Sequence, residues 1–256
     1  MNKVIEMLFV ILLLPQILFA QSFLKTPNDQ IFKTGNIAAT AKGTYLKEPI
    51  AFDNQSDSKT LVNGPSLNLL AGIGERIDFE LNWDIRRYIK TTSEEYQDWG
   101  DVSFFTKIKF LSESSWPSFN VRVGAKLPNA PIQNHAGTDL ADAFIWAASG
   151  KQLGPLHCFT QLGLEIIGDR TGGQNDALSY GIAFTSSFFK QHFILSSEIA
   201  GRYEKPSGRV NQAAFKTGLS YIRQSWQFDL GLSRGLIAQS ESFGVMAGLT
   251  RTFHAF

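Results

Sequence analysis

The chain has 256 residues, 43% hydrophobic, 12% aromatic and only 18% charged. Lysine plus arginine total 24 against 23 acids, a net charge of +1. That balance argues against a nucleic-acid binder, which shows a basic excess, and against a disordered chain, which pairs high net charge with low hydrophobicity. The single cysteine, Cys158, excludes an intrachain disulfide and a cysteine-rich metal site.

Residues 1–20 read as a secretory signal peptide. Lys3 supplies a basic start, Met7 to Leu14 is an unbroken apolar run, and Leu18-Phe19-Ala20 places a small residue before Gln21. No cysteine follows the apolar run, so a lipoprotein anchor is not expected. Residues 21–35, with Pro27 and Asn28, form a polar N-terminal leader. A terminus of this kind is expected to hang free and flexible in the periplasm, plugging of a lumen being the alternative.

From residue 36 to 256 a period of two takes over. In Arg76–Arg86, Ile77, Phe79, Leu81, Trp83 and Ile85 fall on one face; the six residues between them, Arg76 to Arg86, are charged or amide-bearing. Side chains alternate faces along a strand, so such a stretch has one apolar and one polar face. Twelve segments follow this pattern, near 36–46, 64–73, 75–87, 101–111, 117–127, 140–150, 154–167, 176–188, 191–203, 211–222, 225–236 and 242–253. Most exceed the ~5–6 residues of a soluble strand and match the ~9–11 needed to cross a bilayer. Short turns alternate with longer polar loops, among them 47–63, 88–100 and 128–139. The fold expected is an all-β, up-and-down, antiparallel transmembrane barrel of about twelve strands, with ten or fourteen as neighbouring counts. Its place would be the bacterial outer membrane, with both termini in the periplasm.

The chain ends Gly248-Leu249-Thr250-Arg251-Thr252-Phe253-His254-Ala255-Phe256. A terminal phenylalanine after an alternating strand resembles the signal read by the outer-membrane barrel-assembly machinery, although Phe256 is off parity and Arg251 interrupts the apolar face. Arg251 is expected to snorkel to the interface. Further segments carry a family resemblance: Gly72-Ile73-Gly74-Glu75-Arg76-Ile77-Asp78-Phe79-Glu80-Leu81, Gly100-Asp101-Val102-Ser103 with Lys107-Ile108-Lys109-Phe110-Leu111, and Gly150-Lys151-Gln152-Leu153-Gly154-Pro155. With the closing Gly248-Leu249-Thr250 and Phe253, they make residues 64–253 similar to the outer-membrane channel proteins associated with the meta-pathway of phenol degradation. The resemblance implies an outer-membrane barrel that passes small, often aromatic, molecules.

If the apolar face meets lipid, parity assigns to the lumen Arg76, Asp78, Glu80, Asp84, Arg86, Lys107, Lys109, Arg122, Lys126, Glu165, Glu198, Arg202, Lys216 and Asp229. Both signs are present, so pairing across strands is expected, as an ion-filtering conduit or as a lumen knitted shut. Phe105, Phe159 and Ile222 share that parity. Trp83, Phe110, Phe188, Phe193, Tyr203, Tyr221, Trp226 and Phe253 sit near strand ends on the apolar face, as interface aromatics do. Cys158 has lipid-facing parity and is expected to be inert.

The function expected is passive or facilitated passage of small solutes, without catalytic residues, cofactor or metal. Membrane lipid, the assembly machinery and a solute are the partners. The alternative is a structural or adhesive barrel with a blocked lumen and partner-binding outer loops. A barrel hydrolase would need a Ser–His constellation, and His135, His157, His192 and His254 show no such spacing. The acidic run 53–57 lacks the further ligand spacing of a calcium loop. Asp169-Arg170 with Gly172-Gly173 lacks the strand–loop–helix context of a phosphate cradle.

Overall fold

The computed structural model describes residues 23–49, 58–91, 93–130, 140–168, 174–204 and 211–255. The signal peptide, the acidic run 53–57, His135, the 169–173 segment and Phe256 lie outside them.

Fourteen strands form one antiparallel sheet. They are β1 (Asn36–Pro49), β2 (Ser58–Gly74), β3 (Ile77–Asp84), β4 (Arg87–Lys90), β5 (Glu95–Asp98), β6 (Val102–Leu111) and β7 (Ser118–Leu127). The second half continues with β8 (Asp142–Leu153), β9 (Leu156–Gly168), β10 (Gln174–Phe188), β11 (Phe193–Glu204), β12 (Gln212–Arg223), β13 (Trp226–Gly235) and β14 (Phe243–His254). β1 pairs with both β2 and β14, which closes the sheet into a barrel. A Thr40–Thr250 hydroxyl hydrogen bond of 2.8 Å ties the β1–β14 seam from inside. Twelve strands make the wall, each matching one of the twelve alternating segments. Closure leaves no strand edge, the condition lipid imposes on backbone polar groups.

β4 and β5 are the exception. Residues 88–100 read as a polar loop, yet Arg87–Lys90 pairs with Thr60–Asn63 of β2, and Glu95–Asp98 pairs back on β4. This hairpin stands above the wall at the long-loop end. Four residues a strand are too few to show a period, so the hairpin was not legible as alternation. For the same reason β2 runs to Ser58, beyond the Gly64 read from the sequence.

The wall is inverted relative to a soluble protein. Along β13 the exposed positions are Trp226, Phe228, Leu230 and Leu232, and the buried ones are Gln227, Asp229, Gly231 and Ser233. Leu162, Leu195 and Leu230 are each at least half exposed on the outside. The apolar cluster inside is small: Phe32, Ala38 and Leu70. A barrel in lipid has no need of a large apolar core, because its hydrophobic surface faces hydrocarbon.

Candidate functional site

The interior is not empty. Residues 23–35 lie within it, against the expectation of a free terminus. Phe23, Thr26, Asp29 and Phe32 are 3%, 1%, 0% and 8% exposed. The segment runs along the inside of the wall, held mainly through its backbone. The Glu198 carboxylate accepts hydrogen bonds from the backbone N–H of Lys25 (2.6 Å) and Thr26 (2.8 Å). Lys107 Nζ donates to the carbonyls of Asn28 and Gln30, and Asn120 Nδ2 to that of Asp29. The Phe32 N–H donates to Asp78 Oδ2, and the Gly35 N–H to Gly72 O before the chain turns into β1.

Asp29 is the most enclosed anchor. Ser118 Oγ donates to its Oδ2, and His157 Nε2 stands 2.8 Å from Oδ1 without the alignment of a hydrogen bond. Ser, Asp and His thus meet, but the carboxylate lies between the other two. A catalytic triad needs the imidazole to accept the hydroxyl proton; here the hydroxyl donates to the acid.

The wall is cut to receive the segment. A Cβ at Gly181 would fall 2.2 Å from Thr26 Oγ1, one at Gly150 2.2 Å from Asp29 Cγ, and one at Gly218 2.7 Å from the Phe23 ring. Three strands thus carry a glycine where the segment touches them most closely. Glycine at lumen parity beside a polar leader was the available signal, and alternation alone does not read it.

Most of the parity-assigned charges face inward and meet partners. Lys107 pairs with Asp78 at 3.1 Å, Arg122 with Glu80 at 2.5 Å, Lys216 with Glu198 at 3.3 Å and Arg202 with Glu165 at 3.6 Å. Lys126 bridges Asp142 (2.6 Å) and Asp101 (3.7 Å). Asp84 accepts from Ser66 and pairs with Arg87; Asp229 accepts from Gln227. Lys109 is half-buried at the short-turn end. Arg76 and Arg86 depart from the expectation. Both are exposed and lie beyond the strand ends, Arg76 in the β2–β3 turn and Arg86 between β3 and β4 beside Gln97. Parity persists through a turn in the sequence, but the wall does not.

Phe105 and Phe159 are buried inside, with Ile222 half-buried at the end of β12. Phe144 and Trp146 join Phe105 at ring-centroid distances of 5.7 and 5.3 Å, and the Arg122 guanidinium lies 3.9 Å from the Phe105 centroid. On the outer face, Phe188, Phe193, Tyr221 and Phe228 form a ring chain across β10–β13, with successive centroids 5.7, 5.0 and 6.4 Å apart. Phe110, Trp226 and Phe253 share the short-turn end; Trp83 and Tyr203 lie toward the other. The Arg251 guanidinium lies 5.1 Å from the Trp226 ring centroid, so it caps an aromatic rather than facing bare hydrocarbon. Cys158 is paired opposite Phe184 on the outer face and is half-buried. Among the described residues, no three His, Cys, Asp or Glu side chains are placed to hold a metal ion.

Two cavities remain beside the segment. One of about 130 Å³ is bounded by residues 24–28 and 30–32 on one side and by Lys42, Asn68, Glu80, Lys107 and Arg122 among its wall residues. The other, about 310 Å³, opens toward the long-loop end between Phe23–Lys25 and β1, β11, β12 and β14.

No family profile matches the sequence, and no curated protein matches it. Similarity is found in solved structures. The chain is similar to an outer membrane channel from Pseudomonas putida F1, with a TM-score of 0.64 at 13% identity over 90% of this chain and 100% of that one. It is also similar to the translocator domain of the autotransporter NalP from Neisseria meningitidis (TM-score 0.55, 11% identity, 86% and 89% covered). The NanC porin aligns with a TM-score of 0.52 at 6% identity, over 86% of this chain and 99% of that one. At such identities the likeness is one of fold: this chain has the closed twelve-stranded architecture found among outer-membrane barrels.

Proposed function

We propose that this protein is an outer-membrane channel for small solutes whose route is gated by its own residues 23–35. The polar hold on that segment carries the reading. In small barrels the wall's own side chains fill the interior. Here the backbone of the segment hangs on Glu198, Asp78, Lys107 and Asn120. Each such bond is worth only about 1–3 kcal/mol net, because water competes for both partners. A segment held this way can exchange its polar bonds for water, and Phe23 and Phe32 are the buried apolar side chains it would uncover.

On this reading both termini lie in the periplasm, supported by the signal-peptide pattern of residues 1–20 and by the alternation of short turns with long loops. The assembly machinery would engage β14, whose outer face carries Phe243, Val245, Ala247, Leu249 and Phe253, through the end at Phe256. The inward rings Phe105, Phe144 and Trp146 support contact with apolar or aromatic solutes, in line with the family resemblance. The lumen occupancy favours the second reading, a structural or adhesive barrel, and the test separates the two. Residues 21–256 refolded into a planar bilayer should conduct weakly, and Asp29→Ala should raise the conductance by loosening the segment. Silence of both proteins, correctly folded, would favour the structural barrel.

A further inference from the structure

Two lysines inside the barrel stand apart from the paired charges. Lys107, Arg122 and Lys216 each have a carboxylate within 4 Å. Lys25 and Lys42 have none among the described residues, and no hydrogen bond from either ammonium is formed there. Both border both cavities. Lys25 is brought in by the gating segment, and Lys42 by β1, two residues beyond the seam residue Thr40. The carboxylates that border the two cavities are Glu80, taken up by Arg122, and Glu241, at the β13–β14 rim. Burial above all pushes the Lys25 ammonium below its ordinary range; Glu165 and, more weakly, Glu198 favour its charge through space, and Arg202 and Lys216 oppose it. Glu198 is already engaged by two backbone N–H groups and Lys216. Glu165 faces Arg202.

The space around the two lysines is amphipathic. Leu24, Leu46 and Met246 line the larger cavity together with Lys25, Lys42 and Lys216. At about 310 Å³ it is of a size to take a small organic molecule. A surplus cation beside an apolar wall is offset best by an anion whose body also covers that wall.

We propose that this cavity binds small amphipathic monocarboxylates, with Lys25 and Lys42 receiving the carboxylate and Leu24, Leu46 and Met246 covering the aliphatic body. The proposal deepens the channel reading by naming a solute class. It also makes the gate part of the site, since Lys25 belongs to the segment that would have to move. Hexanoate is the probe and hexanamide its uncharged counterpart.

Titration calorimetry on the refolded barrel in a nonionic detergent tests binding independently of conduction. Hexanoate should bind in the millimolar range and hexanamide should not. The double variant Lys25→Gln/Lys42→Gln should bind hexanoate about tenfold or more weakly. Lys151→Gln, at the opposite end of the barrel, should bind like wild type. Equal binding of hexanamide, unchanged binding in the double variant, or no hexanoate binding by a barrel that still shows its heat-dependent gel shift would overturn the proposal. If the double variant fails that shift, Lys25→Gln alone, on the segment rather than the wall, replaces it. Hexanoate binding without conductance would remove the channel reading and leave the site. Conductance without hexanoate binding would do the reverse.

Discussion

Leu230 projects from the middle of β13 with 60% of its surface outside the wall, and Leu81 shares that outer face on β3. Arginine at a mid-membrane lipid face costs about 2–4 kcal/mol. Leu230→Arg and Leu81→Arg should therefore lower the yield of folded barrel, read as the fraction of protein that migrates differently before and after boiling. Wild-type yields for both would mean that the faces are reversed. Asp78 behaves differently because it looks inward: it pairs with Lys107 and receives the Phe32 N–H. Asp78→Ala should assemble normally, yet shift the reversal potential toward anions, since Lys107 is left without its carboxylate. An unchanged reversal potential in a conducting barrel would take Asp78 out of the ion path. That Asp78 faces the lumen followed from its parity, opposite to that of Phe79 and Leu81. That it also holds the backbone of residue 32 did not, because nothing local to β3 specifies what lies across the lumen.

The luminal segment 23–35 and the outer hairpin are the two elements that alternation does not show. Gly181→Val should drive the segment off the wall, because even a Cβ there would meet Thr26 Oγ1 at 2.2 Å. The barrel should still fold, and conductance should rise as in Asp29→Ala. A wild-type conductance with protease protection of residues 23–35 intact would show that the segment tolerates the intrusion. In the hairpin, the Lys90 ammonium donates to Glu95, and this contact, then a hydrogen bond from Tyr88, holds the Glu95 carboxyl below its ordinary range. A carboxyl lowered on folding stabilises the folded form above its unfolded value and loses that contribution as pH falls through the folded one. Acidification should thus release amide-exchange protection in 87–98 before it touches the wall, after correction for intrinsic exchange rates. Lys90→Ala should have the same local effect at neutral pH. The contribution is small, because the pair is exposed and screened. Hairpin protection that survives to pH 3 would assign its order to the backbone pairing with β2 alone.

The closed barrel accounts for the mixture of signals in this chain: polar residues buried, apolar ones exposed, and a lumen in which charges of both signs find partners on the next strand or the one beyond it. Refolded protein should show a heat-dependent gel shift, and its absence would count against closure. Strand number, span and the two faces were legible in the amino-acid order. Each is a local property: a strand long enough to cross lipid and different on its two sides writes both facts into a dozen consecutive residues. Arg76 and Arg86 mark the limit of that reading, since parity continues past the point where a strand ends. The path of residues 23–35, their hold on Glu198 across 173 positions of sequence, and the pairing of Asp29 with Ser118 and His157 belong to the folded molecule. They depend on which strands ring the lumen and on where glycine leaves room. Closure of the barrel settles both, and no periodicity encodes them.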